Sequence, residues 1–288
     1  MRIIFTNSKG QFIDFCNIPN VALYNVEGLA PTELIKGTIK KAYSNGVIVN
    51  STSRGERQII LNLALEGGHL NDAIRRNLYE ILGDKDAGEL RYIDEELDVF
   101  TEAYAEAPQV ETWTLEPTIQ VAFLCPSAFF KDTQETVLNL SQVNPRLQFP
   151  LEIKEDESGV IMGEETPAAN EFVLLNKGQV STGVKIVCNF TQEVKGVKFI
   201  NESNGQILTV DKTFQQGDVL TITTEIGEKG AILYRDGVYE DIFSSLNYGE
   251  QWLRIERGEN IIRYSYLEGD GTAGIFAKIS FNALYWGV

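Results

Sequence analysis

From Ile275 to Val288 the side chains alternate with a period of two. Ile275, Ala277, Ile279, Phe281, Ala283 and Tyr285 take one side, and Phe276, Lys278, Ser280, Asn282 and Leu284 take the other. Successive side chains on a strand point to opposite faces, so this run specifies one long strand. The preceding run, residues 258–266, alternates too and is entered through Gly258-Glu259-Asn260. Ordered β structure at the last residues is expected to complete a sheet rather than fray.

The same period recurs along the chain. Ile59, Leu61, Leu63 and Leu65 share a face behind Arg57. The stretch 34–43 reaches Ser44-Asn45-Gly46 and returns as Val47-Ile48-Val49. Asn-Gly accepts the left-handed backbone of a tight hairpin. Strands are expected over 97–104 and 110–124, with Ala107-Pro108 between them. From Leu147 onward short apolar runs and turn signals alternate: 172–176, 184–190, 197–200, Asn204-Gly205, 207–210, Gly217-Asp218, 219–224 and Asp236-Gly237. That cadence predicts an antiparallel sandwich.

Helical spacing occurs once. Leu70, Ala73, Ile74, Leu78, Ile81 and Leu82 form a stripe, with Asn71 and Asp72 suited to its start. Gly83 is expected to end the helix in a left-handed conformation. The fold class expected is therefore mainly β, with one α-helix in the N-terminal half. A chain of 288 residues exceeds the usual single core. The polar stretch 131–145, ending Asn144-Pro145, is the expected boundary, giving domains 1–135 and 136–288.

Charge narrows the function. At a formal −16 the chain lacks the basic surface that grips nucleic-acid phosphates or an anionic membrane. No apolar run near Met1 suits a signal peptide, and none is long enough for a membrane-spanning helix. Cys16, Cys125 and Cys188 are odd in number and widely spaced, which fits small buried side chains better than disulfides or metal ligands.

Signs of chemistry are sparse. His69, the one histidine, follows Gly67-Gly68 with no sequence partner for nucleophilic catalysis. Asp84, Asp86 and Glu95 match three positions of a calcium-binding loop, but Gly88 and Glu89 occupy positions that need an oxygen ligand and a glycine. Glu155-Asp156-Glu157 and Glu164-Glu165 read as loop charge runs. Neither a cofactor nor a metal is expected. Tyr234, Tyr239 and Trp252 are the candidates for a sugar-stacking platform, weighed against burial of these rings in a core or interface.

Four stretches together resemble the distal tail protein (Dit) family of siphoviruses that infect Gram-positive hosts. They are Arg57-Gln58-Ile59-Ile60-Leu61-Asn62-Leu63, Arg91-Tyr92, residues 123–132 beginning Phe123-Leu124-Cys125-Pro126, and the closing pair 258–264 and 285–288. The resemblance implies an N-terminal domain closing into a homohexameric ring and a C-terminal galectin-like β-sandwich. It implies a non-enzymatic virion protein at the distal end of the phage tail, made in the host cytoplasm. Its partners would be the tail tube protein, the tail-associated lysin or tip protein and, in many members, a receptor-binding protein. An acidic ring would let DNA slide through without adhering. The alternative is a carbohydrate-binding sandwich that recognises host-wall glycans.

Overall fold

The computed structural model describes residues 1–42, 45–65, 72–111, 118–140, 142–145, 163–166, 171–247 and 251–288. The chain is mostly antiparallel β and divides into two compact units. Unit 1 comprises Met1–Gln134 with Leu284–Val288, and unit 2 comprises Glu135–Ala283. The division falls inside two strands, Phe130–Asn139 and Ile275–Tyr285.

Unit 1 contains β1 (Arg2–Thr6), β2 (Phe12–Asp14), β3 (Val21–Glu27), β4 (Leu34–Lys40), β5 (Val47–Arg54) and β6 (Arg57–Leu65). Helix α1 (Asp72–Leu82) follows, then β7 (Gly88–Ile93), β8 (Asp98–Ala105), β9 (Gln109–Glu111), β10 (Thr118–Cys125) and the start of β11 (Phe130–Asn139). Pairing runs β2-β1-β7-β8-β10-β6-β3, all antiparallel, with β9 also on β10. Strict alternation sorts the faces. In β6 the odd-numbered residues from Arg57 to Leu65 are buried and the even-numbered ones look outward. Phe123 is fully buried between Phe5 and Phe15, at ring-centroid distances of 5.0 and 5.9 Å. Each such ring contributes about 1.5–3 kcal/mol by leaving water. Helix α1 turns Leu78, Ile81 and Leu82 inward, as its stripe predicts.

Three expectations change in detail. Gly83 ends α1 by donating its N–H to the Tyr79 carbonyl, yet its backbone is not left-handed. Glycine is favoured there by space, since a Cβ would lie 2.5 Å from that carbonyl oxygen. The single strand expected over 110–124 separates into β9 and β10, and residues 112–117 lie outside the described residues. The polar stretch at 131–145 is not irregular: most of it is β11, whose pattern is weak because its side chains are largely exposed.

Unit 2 contains β12 (Gln142–Pro145), β13 (Gly163–Thr166), β14 (Glu171–Asn176), β15 (Thr182–Gly183), β16 (Lys185–Phe190), β17 (Val194–Asn201) and β18 (Gln206–Phe214). It continues with β19 (Val219–Thr223), β20 (Gly230–Arg235), β21 (Val238–Asp241), β22 (Arg254–Ile255), β23 (Gly258–Tyr266) and β24 (Ile275–Tyr285). One sheet orders β14-β23-β17-β18 and the other β24-β16-β19-β20-β21. Their inner faces share one apolar core, in which Phe190 and Phe214 stack at 4.2 Å and 2°. This is sandwich packing, with inward residues of both sheets interdigitating.

Polar residues close the turns. Asn260 is fully buried: its amide donates to the Glu256 carbonyl at 2.7 Å, and its side-chain oxygen accepts from Glu256 N–H at 2.9 Å. That ring of bonds sets the entry to β23. Asp218 accepts from Gln215 N–H at 2.7 Å and pairs bidentately with Arg235. The Arg235 guanidinium holds the Asp218 carboxyl below the usual carboxylate range.

Candidate assembly surfaces

The most unusual group in unit 1 is Arg57. Alternation places it on the buried face of β6 with Ile59 and Leu61, and it is 1% exposed. Among the described residues it has no carboxylate partner. Its guanidinium donates instead to four backbone carbonyls, those of Gly28, Ala30 at 2.8 Å, Ala128 at 2.9 Å and Trp286. It also lies 4.5 Å over the Phe130 ring. Only the planar five-donor fork of arginine can serve acceptors arriving from so many directions. Burial draws its pKa down from the ordinary arginine value.

One side chain thereby ties the segment after β3, the segment after β10 and the residues after β24. The tie is reinforced around Trp286. Arg54 lies 4.3 Å over the indole, Phe129 packs at 4.8 Å, and Val288 N–H donates to Leu29 at 3.1 Å. Gly28 permits the close approach, because it has φ +87° and a Cβ there would fall 1.9 Å from the Gln58 carbonyl oxygen.

The β4–β5 hairpin grows from this anchored base. Among the described residues its strands pair only with each other. Ile35, Ile39, Val47, Ile48 and Val49 are each about half exposed or more. Isolated two-stranded hairpins are marginal in water, and contiguous exposed apolar groups mark interaction surfaces. Between Leu34 and Arg54 stand Lys36, Lys40, Lys41 and Arg54 and no carboxylate, in a chain of net −16. The turn was legible in Asn45-Gly46. The charge inversion was missed, although counting charges over a short window finds it.

The outward face of the main sheet of unit 1 carries charges of both signs, Arg91 and Lys131 among them. Glu89 and Glu102 are directly opposed on β7 and β8, both exposed. Like charges so placed repel. Beside them Tyr104 opposes Leu124, each 38% exposed. Arg91 on the same face is occupied by Asp98, at 2.6 Å.

The aromatic candidates of unit 2 separate into two groups. Tyr234 and Tyr239 are cross-strand partners on β20 and β21, with ring centroids 4.9 Å apart, and Tyr239 is 76% exposed. Trp252 is half-buried against the core, with Phe243 at 5.7 Å and Lys229 Nζ 5.1 Å over its ring.

The remaining candidates have structural surroundings. Asp84 accepts from Ser8 Oγ at 2.7 Å, which leads in holding its carboxyl below the usual range. Asp86 lies in the α1–β7 connection and Glu95 in the β7–β8 turn. Among the described residues no three His, Cys, Asp or Glu side chains are grouped to hold a metal ion. Cys125 and Cys188 are buried free thiols, and burial pushes the Cys125 pKa up to about 12. His69 and residues 155–157 lie outside the described residues, and Glu164 and Glu165 fall within β13.

Residues 177–285 match the family model described as siphovirus-type tail component, C-terminal domain. Among solved structures, the chain is similar to the Dit protein (gp 19.1) of phage SPP1, described as a paradigm of hub adsorption apparatus in phages infecting Gram-positive hosts. The identity is 13%, the TM-score 0.65, and 98% of each chain is covered. Two structures of the phage P2 baseplate in its activated conformation also align. With calcium, the identity is 13%, the TM-score 0.47, and coverage is 98% of this chain and 97% of that one. With strontium, the values are 15%, 0.46 and 98% of each. No curated protein matches the chain. The resemblance to siphovirus distal tail proteins, carried by short motifs in the sequence, thus extends to the fold of both units.

Proposed function

We propose that this chain is a structural protein of a phage tail, forming the hub at its distal end. The observation that carries the reading is the shared fold over 98% of both this chain and the SPP1 hub protein. The match of residues 177–285 to a tail-component domain supports it independently. A structural tail family also favours a scaffold over an enzyme.

In this reading unit 1 is the ring domain and unit 2 the outward, galectin-like sandwich. Unit 1 closes into a homohexamer that joins the tail tube to the tail-associated lysin or tip protein and to receptor-binding proteins. A ring needs two different patches per subunit that meet head to tail. The cationic, partly apolar hairpin is one such patch. The chain is made in the host cytoplasm and resides in the virion. Light scattering on the purified chain, alone and with its tail neighbours, is expected to give about six times the 32.2 kDa chain mass. A species that stays monomeric in both conditions refutes the ring.

The exposed Tyr234–Tyr239 pair favours a second reading, recognition of host-wall glycan. Stacking on sugar faces would require both rings. Binding of wall glycan by the full chain, reduced at least tenfold by Tyr239→Ala, is the expected sign. Unchanged binding in that variant excludes the pair as the platform.

A further inference from the structure

We propose that the outward face of the β24-β16-β19-β20-β21 sheet binds a linear acidic polysaccharide, its sugar rings on Tyr234 and Tyr239 and its carboxylate or phosphate oxygens on Lys185 and Lys278. This rests on the glycan reading and deepens it, by naming the substrate class and the second half of the site.

Strand registers assemble the face. One row of opposed residues runs Tyr239, Tyr234, Val219 and Asn189 across β21, β20, β19 and β16. Two residues along the same strands, Ile232, Thr221 and Val187 form the next row, which reaches Lys278 on β24. Lys185 lies two residues from Val187, hence on the same face and diagonal to Lys278. Both lysines, both tyrosines and Asn189 are exposed.

The two outward faces of the sandwich differ in kind. The β14-β23-β17-β18 sheet presents aliphatic Val173, Leu175, Ile207 and Ile261, the composition of a protein contact. The opposite face combines two tyrosine rings with the Asn189 amide and the Thr221 hydroxyl. Amphipathic rings beside uncharged hydrogen-bonding groups match sugars, which have apolar faces and hydroxyl rims.

Charge gives the ligand its sign and direction. Lys185 and Lys278 form no ion pair among the described residues, in a chain of net −16. Held on adjacent strands they repel, and an oxyanion between them removes the repulsion through charge-assisted hydrogen bonds. Asp241 stands two residues from Tyr239 on the same face, so the anionic group is kept from the tyrosine end. β20 and β24 are separated by three strand spacings, about 14 Å. One sugar ring cannot touch both ends, so the ligand is a chain. The groups sit on paired strands, and binding therefore orders side chains alone.

The test is calorimetric titration of the full-length chain with three probes of equal length: a glucose oligomer, a uronic-acid oligomer and a phosphodiester-linked sugar oligomer. At least one acidic probe is expected to bind about tenfold more tightly than the uncharged one, and the tighter of the two identifies the anion. Lys185→Glu with Lys278→Glu should erase that advantage and leave the uncharged probe unaffected. Tyr239→Ala should weaken every probe about tenfold. These side chains are exposed, so thermal unfolding should stay close to that of the parent. If acidic and uncharged probes bind alike, or if the lysine reversal changes nothing, only this inference falls. If acidic binding survives Tyr239→Ala, or duplex DNA binds as tightly, the lysines are a general anion patch and the inference falls too. If host-wall glycan binds but no acidic probe does, the substrate class is wrong. If wall glycan and all three probes fail to bind, the glycan reading falls with it.

Discussion

Arg57→Ala is expected to lower the stability of unit 1 by about 3–5 kcal/mol, the cost of leaving several buried acceptors without their donor together with the void that opens. The loss has several parts. Four carbonyls, on Gly28, Ala30, Ala128 and Trp286, lose their donor together. Each acceptor left dry costs about 1–3 kcal/mol, reduced where water can enter. A void also opens beside Phe130. Arg57→Lys should recover little, because one ammonium cannot reach four acceptors that a flat fork reaches at once. Arg57→Met, which fills volume without donating, separates the packing loss from the hydrogen-bond loss. Urea unfolding followed by the fluorescence of the indole at Trp286, in a variant lacking the other tryptophans, measures the effect. A change below about 1 kcal/mol for the alanine variant would show that the four bonds are replaced by solvent.

Phe214→Ala should cost unit 2 about 3–5 kcal/mol. Phe214 is fully buried and lies flat on Phe190. Removing it leaves a void in a core shared by both sheets, and strands on either side cannot collapse without losing their registers. A double-mutant cycle with Phe190→Ala should return a coupling of about 0.5–1.5 kcal/mol, the range for directly contacting rings. Hydrogen exchange resolves where the loss is felt: protection should fall across β16 and β18. Additive effects of the two substitutions would mean that the stack contributes area but no specific contact.

Much of the architecture could be read from the chain because period two is hard to imitate. Alternation in β6, β23 and β24 survives in the burial of those strands, and Asn45-Gly46 and Asp236-Gly237 sit at hairpin turns. The α1 stripe, with a different period, holds at Leu78, Ile81 and Leu82, whereas Ala73 is exposed and Leu70 lies outside the described residues. What escaped was tertiary. Arg57 was visible as the head of a strand, but nothing local says that its fork collects carbonyls from three other places. Its position on the apolar parity of β6 was the available clue. The hairpin was visible as a hairpin, whereas its exposure depends on no other element covering it. Trp252 and Tyr234 looked alike in sequence. They differ because one packs against the sandwich core and the other points away from it.

The bond from Arg57 to Trp286 joins residues 229 positions apart, within a single unit. Unit 1 is thus a lobe whose keystone is translated after unit 2. A ribosome has to make the entire sandwich of unit 2 before the segment that Arg57 grasps exists. Until then the nascent N-terminal lobe holds a guanidinium short of one acceptor, and the base of its hairpin lacks the indole on which Arg54 lies. Long-range closure of this kind is slow, because the entropy of the intervening chain is lost before the contact forms. Chains that stop short of the segment after β24 consequently lack one of the ties that hold the segments after β3 and β10 together.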